Sequence, residues 1–435
     1  MAARSDTSDL TESQRWLARS EAVIPGASQT MSKGPTQWVQ GVAPSFVVRA
    51  RGARVQDADG RWYLDLPAAL GPIILGYGHP GVDAAIRAQL EDGITFTLPH
   101  PLEVEVAERI QRLVPCAERV RFGKSGSDAT SAAVRIARAA TGRDHVVVAG
   151  YHGWHDWYVG ATSRRRGVPD VVKELTSTVA PWDLEAMRAA LVAHAGEVAC
   201  VVVEPIGTRE PGEGELQAIV DLAHEHGALA VFDEVISGFR VGLGGAQERY
   251  GAVPDLAAFG KALGNGMPIS ALAGRAEVME VLEDVFFSGT HGGEALSLAA
   301  ARATLDVLQE EPVHEHLWRL GRRLAVGVRE QVARHALEEW VSVGGAAPWT
   351  LVLVREPHPG GEGLAAKSLL QQEMLRRGVL YNGSNFISYA WTDEDVDEVV
   401  EAYGGAFERL ASALPDDVPA QLEGAPVGSV FRAVS

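Results

Sequence analysis

Lys261 stands in "LAAFGKALGNGMPIS", Leu256 to Ser270, between a short apolar run and a glycine-rich turn. Lysine normally snorkels to keep its ammonium in water, so an amine crowded by Gly260, Ala262 and Gly264 suggests a charge suppressed for a purpose. On this stretch alone, a surface lysine at the end of a strand is the commoner explanation. The chain offers further groups to weigh beside it. "ALAVFDEVISGFR" ends a hydrophobic run on Asp233 and Glu234. A carboxylate at the carboxyl end of a parallel strand needs a partner, because an isolated buried anion is too costly. A protonated ring nitrogen satisfies it, and so does a following helix that Asp233 caps. "RVRFGKSGSDATSAAVRIARAATGRD" joins a strand to a helix through Gly123, Ser125, Gly126 and Ser127. Free backbone N–H groups, hydroxyls and the positive helix end converge there, which makes either a phosphate seat or a plain capped helix. The stretch matches neither the P-loop nor the G-x-G-x-x-G pattern, which argues against a nucleotide-dependent enzyme.

Three more groups fall at element ends: Glu204 in "VVVEP", Tyr151 in "GYHGWHDW" and Thr290 in "SGTHGGEAL". His152 and His155 have a spacing that suits a metal, but no third ligand accompanies them. Loop histidines hydrogen-bonded to backbone are the better reading.

The elements that must position these groups are legible as pattern. "SFVVRARGARVQDADGRWYLDL" alternates apolar and polar residues around Asp59-Gly60, as a β-hairpin does. From Leu66 to Leu324, short apolar runs ("HVVVAG", "ACVVVEP", "ALAVFDEV", "LAAFG") alternate with helical segments, which predicts buried parallel strands with crossover helices. The helix after Gly126 places Ala129, Ala132, Ala133, Ile136, Ala137 and Ala140 on one face, and Gly142 stops it. After Ala325 come strand-like "TLVLV" and "FISYAW", a helix near Ala365 to Arg377, and a helix opened by the capping box "TDED" at Thr392 to Asp395. The expected organisation is an N-terminal segment over 1–65 that completes a small α+β domain over 325–435, with a large α/β domain over 66–324 between them. The ends, Met1 to Asp9 and Leu422 to Ser435, carry no clear pattern.

Composition sets the outer bounds. The chain has 435 residues, 46% hydrophobic and 22% charged, enough for a core divided among two or three domains. A net charge of −18 disfavours a nucleic-acid partner and leaves small molecules as the expected clientele. Cys116 and Cys200 are the only cysteines, far apart and without ligand spacing, so neither a disulfide framework nor a metal site is expected. With no signal-like N-terminus and no long apolar run, a soluble cytoplasmic protein without a membrane partner is expected.

A phosphate seat, an aromatic platform, a strand-end aspartate and an enclosed lysine together are what pyridoxal 5′-phosphate requires. The phosphate anchors the cofactor, the aspartate keeps its ring nitrogen protonated, and the lysine forms a Schiff base. The ordered pieces "SGSDAT", "YHG", "EP", "DEVISGFRVGLGGAQ", "FGKALGNGMPI" and "GTHGGEAL" resemble the class III aminotransferases, pyridoxal-phosphate enzymes of fold type I, and within them the glutamate-1-semialdehyde 2,1-aminomutase-like branch. The resemblance runs from about Ile24 to Leu410. It implies a large domain with a mostly parallel seven-stranded sheet and a small α+β domain. It also implies Lys261 as the Schiff-base lysine and Asp233 as the ring-nitrogen partner. Ser125, Gly126 and Ser127 would form the phosphate loop, Tyr151 and Val235 would cover the two ring faces, and Glu204 would lie in the cofactor site. Thr290 would reach the phosphate of a neighbouring subunit, so a homodimer is implied as well.

The chain departs from the aminomutase branch. "ALGPIILG" has Leu70 where the aminomutases resemble "SWGPMILG". The segment before the last strand, "NGSNFISYAW", is shortened. Lys33 aligns loosely with an arginine whose fork a lysine does not offer. These departures favour a true aminotransferase that moves nitrogen from an amino acid such as glutamate to an aldehyde or ketone of a sugar-like or specialised metabolite. Lys261 would then also shuttle the proton. The intramolecular 2,1-aminomutase is the alternative. A cofactor-free scaffold on the same fold is a third reading, which the retained lysine and aspartate oppose. Arg240 in "GFRVG" is open to two readings, a substrate carboxylate's partner or a structural ion pair.

Overall fold

The computed structural model describes residues 11–355, 364–414 and 417–428. The chain divides into two compact units. Among the described residues one comprises 71–73 and 79–314, the other 11–70, 74–78, 315–355, 364–414 and 417–428.

The unit centred on 79–314 is built on a seven-stranded sheet. Its strands are β4 (Arg119–Gly123), β5 (His145–Ala149), β6 (Thr176–Thr178), β7 (Val198–Val203), β8 (Leu229–Glu234), β9 (Leu256–Phe259) and β10 (Ser270–Gly274), in the order β4-β10-β9-β8-β7-β5-β6. The valine-rich runs become the central strands because both faces are covered: every residue of β5, β7 and β9 is buried. Strands β5 to β9 pair in parallel. Only β10 runs the other way, antiparallel to both β9 and β4, so β4 points in the same direction as the rest. This brings the carboxyl ends of β4, β5, β7, β8 and β9 to one edge of the sheet. Among the crossover helices, Gly126–Thr141 buries the predicted alanine face and ends at Gly142 in the left-handed region, φ 66°.

The other unit carries two smaller sheets. β1 (Val47–Arg51), β2 (Arg54–Asp57) and β3 (Trp62–Asp65) form an antiparallel meander, and β13 (Val379–Leu380) adds in parallel to β3. The expected hairpin at Asp59-Gly60 is the β2–β3 turn, and a second turn at Gly52 makes the segment three strands rather than two. β11 (Val341–Ala346), β12 (Trp349–Val354) and β14 (Ser384–Phe386) form the second sheet. "FISYAW" is therefore mostly not a strand. It leaves the ladder after Phe386 because the Tyr389 N–H turns to the Ile74 carbonyl at 2.7 Å, and the Trp391 carbonyl meets His316. Helix Asp393–Ala413 opens on the predicted capping box of Thr392 and Asp395. Met1 to Asp9 lies outside the described residues. Leu422 to Gly428 contains neither helix nor strand, and the rest of that tail lies outside the described residues.

Candidate active site

The strand ends at the shared edge carry the predicted residues. Asp233 is the fifth residue of β8, in register with Ala258 of β9, and Lys261 follows β9 by two residues. Lys261 opens a short 3-10 turn with φ 41°, a left-handed backbone that a non-glycine residue keeps only where its surroundings hold it. Burial pushes its ammonium down to about 8, against the opposing pull of Glu204 and Asp233.

Asp233 is buried. Its Oδ2 accepts from His152 Nδ1 at 2.8 Å and its Oδ1 from the Val235 N–H at 3.1 Å. An ionised carboxylate only accepts, so His152 carries a proton on Nδ1. His152 is itself buried, and its Nε2 has no partner among the described residues. No helix follows for Asp233 to cap, because residues 235–244 are turn and bend and the next helix begins at Gly245, so the alternative of a helix cap is not met; its backbone contact closes a turn and its side-chain partner is His152. The pairing corrects the expectation for the two histidines. His152 binds Asp233, and His155 Nδ1 meets Ser131 Oγ at 2.6 Å, so both rings are held by side chains rather than backbone. The His152 contact spans 81 residues of sequence and could not be read from spacing. The signal that could have found it was the need of a buried aspartate for a donor.

Glu204 follows β7 directly. Its Oε2 accepts the Tyr151 N–H at 2.9 Å, and burial pushes the carboxyl up to about 6, with Asp233 adding to the rise. Gly150 makes this approach possible: at φ 116°, an added Cβ would stand 2.5 Å from Glu204 Oε2. Tyr151 follows that glycine at the end of β5, half exposed, with its ring edge-on to Tyr158. Glu234, next to Asp233, serves structure. It is fully buried and accepts from Ser237 Oγ at 2.7 Å, the Ala246 N–H at 2.7 Å and the Gln247 N–H at 3.1 Å.

Beyond the end of β4, Ser125 caps helix Gly126–Thr141, with its Oγ accepting the Asp128 N–H at 3.2 Å and Asp128 Oδ2 accepting the Ser125 N–H at 2.7 Å. Ser127 is buried, and its Oγ accepts the Trp154 N–H at 3.3 Å. Gly126 packs on Val235, where an added Cβ would lie 2.8 Å from Val235 Cγ1; the same methyl lies within 3.5 Å of a Cβ built on Gly260. Val235 therefore joins the serine-glycine loop to the lysine turn. Thr290 is exposed, on a segment tied to β4 by Lys124 Nζ–Glu294 Oε2 at 2.9 Å and by Phe287 against Gly123. It takes no part in the hydrogen bonds of the cluster. Arg240 is fully buried and donates to the Gly71 carbonyl at 2.6 Å, and burial pushes its guanidinium down to about 9. Among the described residues no group of three or more His, Cys, Asp or Glu could hold a metal ion, and no helix is long and apolar enough to cross a membrane.

An amine of lowered basicity, a fixed carboxylate on the adjacent strand and a helix N-terminus therefore share one sheet edge, a set suited to a phosphorylated carbonyl compound with a basic ring nitrogen. Known proteins agree with that chemistry. Residues 37–346 match the class III aminotransferase family. The chain is 37% identical to the glutamate-1-semialdehyde 2,1-aminomutase of Halobacterium salinarum, over 89% of this chain and 97% of that one. It is 34% identical to the 3-aminobutyryl-CoA aminotransferase of Cloacimonas acidaminovorans, over 92% and 99%. In structure it is similar to the FumI protein of Sphingopyxis sp. MTA144 in its PLP internal aldimine form, with a TM-score of 0.86, 31% identity and coverage of 96% and 99%. The chain belongs to the class III aminotransferases, enzymes of fold type I that depend on pyridoxal 5′-phosphate.

Proposed function

We propose that this enzyme transfers an amino group between two small molecules. The donor is an amino acid, glutamate foremost, and the acceptor is an aldehyde or ketone of a sugar-like or specialised metabolite. Lys261 Nζ would hold the cofactor aldehyde, and Asp233 would face the ring nitrogen. The first-turn N–H groups and hydroxyls of Ser125, Gly126 and Ser127 would hold the phosphate, Tyr151 and Val235 would cover the ring, and Glu204 would flank it. The residues fit the cofactor on three counts. The lysine's ammonium is pushed down to about 8, the carboxylate is fixed by His152, and Gly126 leaves no Cβ between the phosphate loop and Val235. When bound, pyridoxal phosphate supplies an electron sink that acidifies the hydrogen on the substrate's amine-bearing carbon.

The protein's own groups then have separate tasks. His152 holds Asp233 in one orientation and keeps it from turning to solvent. The Asp233 carboxylate would stabilise a proton on the partner it faces. Lys261 Nζ, neutral in a larger fraction at working pH than an exposed lysine, takes the proton from the substrate carbon as general base. The single observation that carries the reading is the parallel register of Asp233 on β8 with Ala258 on β9, the strand that leads directly into Lys261, with the His152 contact behind the aspartate. The test is a half-reaction: holoenzyme mixed with glutamate should lose its bound-aldehyde absorbance and gain that of the amine form of the cofactor. An unchanged spectrum removes glutamate as donor.

The reading extends to a homodimer in which Thr290 of one protomer reaches the phosphate held by the other, and to the cytoplasm. The exposure of Thr290, with Ile94, Phe96, Leu98 and Phe286 also exposed in the same unit, supports the first. Two free, buried cysteines accord with the second. A second reading, intramolecular 2,1-aminomutation, is favoured by the 37% identity to the Halobacterium enzyme. Supplying a semialdehyde alone separates the two, because a mutase converts it with no external donor.

A further inference from the structure

Lys124 stands between the last residue of β4 and Ser125, and its ammonium lies 2.9 Å from Glu294 Oε2. A lysine beside such a serine-glycine loop is a natural point-charge ligand for phosphate. Here a carboxylate 170 residues away in sequence holds it instead. Both side chains are largely shielded, with 25% and 12% of their surfaces exposed. Shielding matters because an ion pair in open water is worth little, whereas one held away from solvent is only weakly screened.

Each partner has a local duty that does not need the other. The backbone at Lys124 is fixed by Asp128, whose Oδ2 accepts the N–H groups of Lys124 at 3.0 Å and Ser125 at 2.7 Å. Glu294 caps helix Ala295–Glu310, its Oε1 accepting the Leu296 N–H and its Oε2 the Ser297 hydroxyl, both at 2.6 Å. Without the ion pair, both helix N-termini keep these caps. What the pair adds is a fixed distance between them.

That distance bears on the site because of the segment that ends at Glu294. Its start is tied to the same elements: Arg135 Nη1 donates to the Phe286 carbonyl at 2.6 Å and Arg121 Nη2 to the Phe287 carbonyl at 3.0 Å. Phe287 also packs on Gly123, where an added Cβ would stand 3.3 Å from its ring. Three cations, on β4, on the helix after Gly126 and between the two, thus grip both ends of the loop that carries Thr290. Residues 288–291 are exposed, and the turn is closed by the Gly292 N–H on the Gly289 carbonyl at 3.0 Å. A loop with so few bonds of its own takes its place from its ends.

We propose that Lys124 and Glu294 are a positioning pair, which fixes the serine-glycine loop against the Thr290 loop so that donors for a phosphate are held ready before it binds. Neither side chain has to touch the phosphate. The gain is preorganisation, with the ordering cost met on folding rather than on binding. The proposal rests on the reading of Ser125, Gly126 and Ser127 as a phosphate seat.

The test loads the full chain with pyridoxal 5′-phosphate or with pyridoxal, which keeps the ring and aldehyde but carries a hydroxymethyl group in place of the phosphate ester. Release after dilution is followed by the absorbance of the bound aldehyde. Glu294→Gln and Lys124→Met should each release the phosphorylated form about fivefold faster and pyridoxal within about twofold of the parent rate, with an unchanged melting curve. The double variant should lose no more than either single one, because both remove the same pair. Lys124→Arg, which keeps the cation, should retain the parent's preference for the phosphorylated form, and its loss there would overturn the proposal even if the neutral variants misfold. Tighter retention in Glu294→Gln would show Lys124 to be a direct phosphate ligand and overturn it too. Equal weakening for both forms, or additive losses in the double variant, would mark plain destabilisation and have the same result. A parent that releases both forms at one rate would remove the phosphate seat and the pair's role together. A parent that discriminates, with variants that discriminate equally well, would remove the pair's role alone.

Discussion

Two of the buried aspartates at the carboxyl ends of strands, Asp233 and Asp65, are held in different ways. Asp233 is the next-to-last residue of β8 and Asp65 the last of β3. Both are shielded from water, and both accept hydrogen bonds from backbone N–H groups just downstream. The difference lies in the side-chain donor. Asp233 meets an imidazole and lies in register with the strand that leads to an amine; Asp65 meets a phenol, and its backbone donors belong to a strained turn. A strand-end carboxylate is thus only an offer of negative charge. Its donors decide whether that charge serves chemistry or shape.

Variants can break this comparison. The largest effect should come from Lys261→Ala. Removing the proposed base should lower turnover by about 10²–10⁴-fold, and borohydride should no longer fix the cofactor to that peptide. Trapping at an unchanged level on another lysine would dissolve the assignment. Asp233→Asn should follow, with about 10²–10³-fold lost in single-turnover rate because the fixed charge is gone while the shape remains. His152→Phe tests whether the imidazole matters beyond filling space, because the ring is kept and the donor is removed. Leaving Asp233 short of a donor should weaken cofactor retention by about tenfold, roughly 1.4 kcal/mol and within the cost of an unmet buried hydrogen bond, as read from dialysis of the holoenzyme.

The pH dependence sharpens the same side. The Lys261 ammonium is pushed down to about 8, and only the neutral amine attacks an aldehyde. Reloading of stripped protein with pyridoxal phosphate should therefore speed up as pH rises and level off above about 8, rather than climbing toward the value of a free lysine. A rate still rising steeply at pH 10 would contradict the burial argument.

On the other side, Asp65→Ala should cost about 1–3 kcal/mol in denaturant unfolding. It should speed hydrogen exchange at Ala68 to Leu70 and leave the cofactor absorbance unchanged. The smallest effect should be that of Ala69→Gly. Relief at φ 57° outweighs the added chain entropy, for a gain of about 1 kcal/mol or less. A loss instead would mean that the turn carries no strain.

Much of the architecture is legible in the amino-acid sequence. The strand runs around Val146, Val201 and Val231, the alanine face of the helix after Gly126, its stop at Gly142 and the capping box at Thr392 all come from local period and local chemistry. So do the types of residue that end the strands. "FISYAW" misleads because it is apolar at strand-like length. Whether such a run joins a ladder depends on a neighbour's free edge, and Tyr389 finds the Ile74 carbonyl instead.

Short-range pattern therefore determined which segments are strands and helices, and that a lysine, an aspartate and a serine-glycine loop were available at their ends. Only the tertiary structure decided that β10 turns back antiparallel, so that β4 delivers its loop to the same edge as β8 and β9. It alone decided that His152 reaches across 81 residues to Asp233, and that three left-handed residues turn back onto Asp65. The physical reason is one of range. Periodicity and capping are settled by neighbours a few residues away, whereas a buried charge takes its partner from whatever the packed chain places within about 3 Å, and no spacing in the sequence records that distance.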